Sequence, residues 1–171
     1  MVKKRGVIAQ SLRNSVKDAG AFSVMEGVGT NFVSPYAIAM NATPIQISLL
    51  TSISSLLPPW FQIHANKLMK IRSRKSIVIN AVLLQALLWI PLALIPFLFD
   101  NDLIRTWSVV LIFSFIAITG GFAGPAWSSW MGDLVKEEKR GEYFSRRNRI
   151  AGCIVLLSGL FAAWFLKSLN G

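Results

Sequence analysis

Ser23, Glu26, Thr30 and Ser34 recur at i, i+3, i+7 and i+11 in the first apolar stretch of the chain, the spacing of one stripe on a helix. Gly27 and Asn31 flank this stripe, while Phe22, Met25, Phe32 and Tyr36 fall on the other side. Lipid on one side and a polar cleft on the other would produce that division. An acid inside a bilayer costs roughly 2.5–3.5 kcal/mol on insertion scales, so Glu26 is there for a function or is hidden by a hydrogen bond to a neighbouring helix. Carboxylates taken out of water hold their protons more tightly. Glu26, with Ser23, Thr30 and Asn31 beside it, therefore offers hydrogen-bonding chemistry inside the bilayer, either to something that enters a cleft or to a neighbouring helix. Ser48, Ser52, Ser55, Pro59 and Gln62 repeat the pattern on the next stretch, where serines at this spacing indicate close helix packing before binding. Asn80 and Gln85 are further cavity candidates, and His64 reads as a polar anchor at an interface. No Ser/His/Asp set, phosphate loop or metal-ligand spacing occurs, so neither an enzyme activity nor a cofactor or metal is expected. The single cysteine, Cys153, sits in an apolar run and reads as a small buried side chain.

The elements that must hold these residues are set by composition. Of 171 residues 53% are hydrophobic and only 15% charged, with a mean hydropathy of +0.52, whereas a soluble domain is usually about 25% charged. The solvent implied is lipid. A bilayer core of about 30 Å needs about 20 mostly apolar helical residues, and five stretches qualify or nearly qualify: residues 19–40, 44–64, 76–99, 106–130 and 150–166. The third and fifth are the plainest, and the first two are more polar. Asn41-Ala42-Thr43-Pro44 makes a tight turn with the proline in the first turn of the next helix. Asp100-Asn101-Asp102 separates spans three and four. Pro58-Pro59 predicts a kink in span two, and Gly120 with Gly124 predicts close packing in span four. Residues 1–18 are too polar for a signal peptide and read as a basic, amphipathic segment ahead of a transmembrane domain at 19–171.

The net charge of +10 would suggest nucleic acid in a soluble protein. Here the basic residues sort by side. Five precede span one, five lie between spans two and three (Lys67, Lys70, Arg72, Arg74, Lys75), and six lie between spans four and five. Only Arg105 and Lys167 fall on the opposite side. That bias places the N-terminus in the cytoplasm and assigns the clusters to topology and anionic headgroups. Nucleic-acid binding is excluded, since no stacking aromatics or zinc-finger pattern accompanies the charge.

Two loops then resemble a known family. The stretch Asn66-Lys67-Leu68-Met69-Lys70-Ile71-Arg72-Ser73-Arg74-Lys75 is similar to the G-x-x-x-D-R-x-G-R-R/K loop of major facilitator superfamily transporters, matching best at Arg74-Lys75. Asn66, Lys70 and Ser73 replace the first glycine, the aspartate and the second glycine. Gly132-Asp133-Leu134-Val135-Lys136-Glu137-Glu138-Lys139-Arg140-Gly141 resembles the family's A-D-L-x-P-E-E-x-R-G segment more closely. The resemblance implies an all-α integral membrane fold, a partial N-terminal bundle of five transmembrane helices. It also implies secondary active transport of a small solute by alternating access.

By the same resemblance helix one lines the central cavity, which makes Glu26, with Ser23, Thr30, Asn31 and Gln85, the solute- or proton-linked set. Asp133 would pair with Arg74 or Arg72 in a cytoplasmic latch near Arg140; a local cap or surface ion pair is the plainer reading of Asp133. The expected setting is the cell membrane, with protons and a small solute as partners. A sixth helix and a second half are implied in a longer chain or a partner chain. The competing expectation is a small membrane scaffold, or an inactive truncated transporter, that moves no solute.

Overall fold

The computed structural model describes residues 2–170, with side chains from 10 to 169. Every regular element in it is helical: α1 (Val2–Val28), a 3-10 turn (Thr30–Phe32), α2 (Val33–Ala39), α3 (Pro44–Leu68), α4 (Arg74–Leu98), α5 (Asp102–Leu134), a second 3-10 turn (Glu137–Lys139) and α6 (Arg140–Asn170). Three of these helices, α4, α5 and the one reaching from Glu137 to Leu169, are long and apolar enough to cross a membrane. The third, fourth and fifth expected stretches fall on them, apart from Phe99 just after α4. The exteriors carry what a lipid-facing surface requires. No residue of the most apolar stretch of α6 is buried, and Phe97, Ile45 and Leu56 are each 70% exposed or more. Side chains so apolar and so open to the surroundings mark a surface that meets hydrocarbon or further helices.

The first expected span is not one helix. α1 ends at Val28, and the chain passes through Gly29 and a 3-10 turn, in which Phe32 N–H donates to Gly29 O (2.9 Å), before α2 begins. Pro35 supplies a reason. It has no N–H and its ring crowds the carbonyl four residues back, so it is best accommodated in a first helical turn, where α2 places it. The stripe through Ser23 and Glu26 therefore loses its α-helical register before Thr30 and Ser34.

The chain divides into two compact units, one of residues 1–33 with 131–171 and one of residues 34–130. In the first, α1 packs on α6 at backbone distance. A Cβ on Gly27 would lie 2.7 Å from Val155 O and would collide with Ser158 Oγ, and one on Gly159 would lie 3.5 Å from Gly27 O. Small residues permit this approach.

The second unit is organised by capped helix ends. Asn41 takes a positive φ of 64°, as a residue closing a helix does. Thr43 then caps α3 in a reciprocal box with Gln46, and Pro44 follows in the first turn. Gln46 also donates through Nε2 to Thr106 Oγ1 on α5 (2.8 Å, buried), and Asn41 donates to Asp102 (2.9 Å). Asn101 caps α5 by accepting from the N–H groups of Leu103 and Ile104, while Arg105 donates to the carbonyls of Phe99 and Pro96 at the end of α4. The Asp100-Asn101-Asp102 boundary is thus a polar knot that satisfies two helix ends.

Prolines inside α4 leave carbonyls without donors, and the fold answers one of them. Pro96 cannot donate to Leu92 O, and the Tyr36 hydroxyl donates there instead at 2.7 Å. α3 runs on through Pro58 and Pro59, and α5 meets it there. A Cβ on Gly121 would lie 2.8 Å from Pro58 O and 3.2 Å from Phe61 Cβ. The glycine pair expected to pack, Gly120 and Gly124, faces open space. A GxxxG spacing marks one helix face, and in α5 the packed face is rotated by one residue from it.

Candidate functional site

Within the first unit, the end of α1 and the 3-10 turn face α6 across an open cleft of about 630 Å³. The close approach at Gly27 fixes its position: the residue before it, Glu26, is carried against the Val155–Gly159 face of α6. The cleft is lined by Glu26, Asn31 and Phe32 on one side and by Ala151, Gly152, Val155, Leu156, Gly159 and Leu160 on the other. Among the described residues its only polar side chains are those of Glu26 and Asn31. Among the described residues the half-buried Glu26 carboxylate has no hydrogen bond or ion pair. A helix neighbour that hides the acid is thus not found among the described residues, and the carboxylate stays open to whatever enters the cleft.

The other expected members of the set are dispersed. Ser23 lies one turn back on α1 and is 1% exposed, so it is committed to packing. Thr30 is half-buried in the 3-10 turn and does not line the cleft. Gln85 is buried on α4 in the second unit. The sequence reading missed the α6 wall. Gly152 and Gly159 stand seven residues apart, two turns on one face, and with Val155 between them that periodicity was available as a signal.

The basic and acidic candidates also fall in both units. In the second, Arg72 is exposed after α3, and Arg74 opens α4 with Nη1 directed at Ser129 O (3.5 Å). In the first, Asp133 is exposed on the last turn of α5. Arg140 Nε donates to Gly132 O (3.0 Å) and Val135 O (3.3 Å). Arg140 is therefore a C-terminal cap for α5, where a cation also meets the negative end of the helix dipole. Lys136, where the resembling family segment has proline, has φ −58°, a value proline adopts. A cross-helix attraction that the sequence reading did not weigh joins Asp18 on α1 to Arg147 on α6. Cys153, expected to be buried, is exposed on α6.

Comparison with curated proteins and with solved structures gives no significant match. The sequence model of the Major Facilitator Superfamily, however, matches residues 19–171. That match covers most of the chain and agrees with an all-helical protein whose apolar helices face outward. The chain belongs to the Major Facilitator Superfamily, a family of membrane transporters.

Proposed function

We propose that this chain forms the front part of a secondary active transporter that carries a small solute across the cell membrane by alternating access. The observation that carries the reading is the Glu26 carboxylate, without a hydrogen bond or ion pair among the described residues, in a cleft whose other lining is apolar apart from Asn31. A carboxylate held in such a place binds a proton or a solute cation, and an amide five residues on supplies a donor and an acceptor for a polar solute. The N-terminus lies in the cytoplasm by the sorting of basic loops. Asp133 acts with Arg74 as a cytoplasmic latch, with Arg140 holding the end of α5 on which Asp133 stands. A sixth helix and a second half, in a longer chain or a partner chain, complete the path.

The test does not require knowing the solute. In a Cys153→Ser background, Glu26→Cys and Asn31→Cys are exposed to a membrane-impermeant thiol reagent in native membranes. Transport predicts that both positions react, at rates that differ between the two membrane faces. Protection of both from the reagent at either face would support a static scaffold and remove the proposal. Proton coupling is tested separately: Glu26→Gln in the complete protein abolishes uptake driven by a pH gradient, and unchanged uptake excludes coupling through Glu26.

A further inference from the structure

A second cleft, of about 390 Å³, opens within the second unit between the end of α3, the first turns of α4 and the face of α5 that carries Phe122. We infer that it seats one anionic phospholipid, independently of any solute path. Its lining changes character along α4. Arg72 is exposed, Ser76 and Asn80 follow it at successive turns with Leu68 and Ile77 sharing the lining, and Ala81, Leu84, Phe122 and Thr119, whose hydroxyl is spent on Ile116 O, complete it. Ser76, Asn80 and Leu84 are four residues apart, so polar gives way to apolar over about 12 Å along the helix axis. That gradient matches a phosphate at Arg72, ester oxygens at Ser76 and Asn80, and an acyl chain on Leu84.

Two further observations point the same way. The exposed Asn80 amide has only a long 3.5 Å bond to Ser76 Oγ, and a polar group beside hydrocarbon requires a better partner. The sequence from Asn41 to Phe99 contains no aspartate or glutamate but carries Lys67, Lys70, Arg72, Arg74 and Lys75. The charge that α3, α4 and the loop between them bring to the cleft is therefore of one sign, and it selects an anionic headgroup over a zwitterionic one. A small soluble anion would satisfy Arg72 yet leave Ala81, Leu84 and Phe122 uncovered, so the occupant is the amphiphile.

The experiment is native mass spectrometry of the 171-residue chain in detergent with equal amounts of phosphatidylglycerol and phosphatidylcholine. One phosphatidylglycerol is retained in preference to phosphatidylcholine, and Arg72→Ala lowers its retention about fivefold. Ala81→Trp, which fills the apolar end without changing charge, lowers it as well, as does Asn80→Leu, which removes the amide at similar volume. Lys70→Ala, exposed and outside the cleft, leaves retention within about twofold because the seat is local. If Lys70→Ala acts as strongly as Arg72→Ala while Ala81→Trp and Asn80→Leu do nothing, the attraction is diffuse and the proposal fails. It fails equally if phosphatidylcholine is held as well, or if inorganic phosphate displaces the lipid.

Discussion

Removing the Tyr36 hydroxyl should destabilise the second unit only as long as Pro96 is present. Leu92 O has lost its helical donor to Pro96, and the Tyr36 hydroxyl replaces that donor at 2.7 Å, at a residue only 2% exposed. Hydrogen bonds between membrane helices average about 0.6 kcal/mol and reach about 1.7. A short bond to an orphaned buried carbonyl belongs in the upper half, so Tyr36→Phe should cost about 1–1.5 kcal/mol. Pro96→Ala returns an N–H to α4 that bonds Leu92 O in the ordinary helical way. In that background Tyr36→Phe should cost less than about 0.5 kcal/mol, which leaves a coupling of about 1 kcal/mol, outside the 0.3–0.5 by which independent sites depart from additivity. The assay is reversible unfolding in mixed micelles under increasing sodium dodecyl sulfate, followed by tryptophan fluorescence, for the four members of the cycle. Equal losses in the two backgrounds would refute the reasoning, because the hydroxyl would then be doing something other than replacing the proline's missing donor.

The helix contacts give three further expectations, each read as a thermal shift of the detergent-solubilised chain. Gly27→Ala drives a Cβ into Val155 O and Ser158 and should cost about 1–3 kcal/mol, whereas Gly20→Ala meets only Ile154 at an ordinary 3.5 Å and should be neutral or mildly stabilising through helix propensity. Gly121→Ala should destabilise by a similar amount against Pro58 O, while Gly124→Ala, facing open space, should not; the reverse order would overturn the placement of α5 on α3. Gln46→Ala removes half of the capping box and the buried bond to Thr106, and a loss of about 1–2 kcal/mol is expected. Thr106→Val, which removes only the second of these, should cost less.

Much of this protein is written in its sequence, because lipid imposes strong one-dimensional rules. Apolar length alone marks α4, α5 and α6, since a helix must span a fixed thickness and satisfy its own backbone. The turn at Asn41 to Pro44 and the knot at Asp100 to Asp102 are legible because caps and turns are local chemistry. Family membership is legible too, from the Asp133 to Gly141 segment. What periodicity could not supply is the partner across space. The stripe through Glu26 and Thr30 assumes one unbroken helix, and the chain turns at Gly29. Gly120 and Gly124 have the spacing of a packing motif, yet Gly121 meets Pro58, because the side of α5 that packs is fixed by the shape of α3. Nothing near Pro96 in the sequence names Tyr36, sixty positions earlier, as the group that answers its lost donor. Nor does the sequence say that Glu26 has no hydrogen-bond partner among the described residues: the residue type predicts that an acid in a membrane needs a reason, and only the packing of α1 on α6 decides that it faces a cleft.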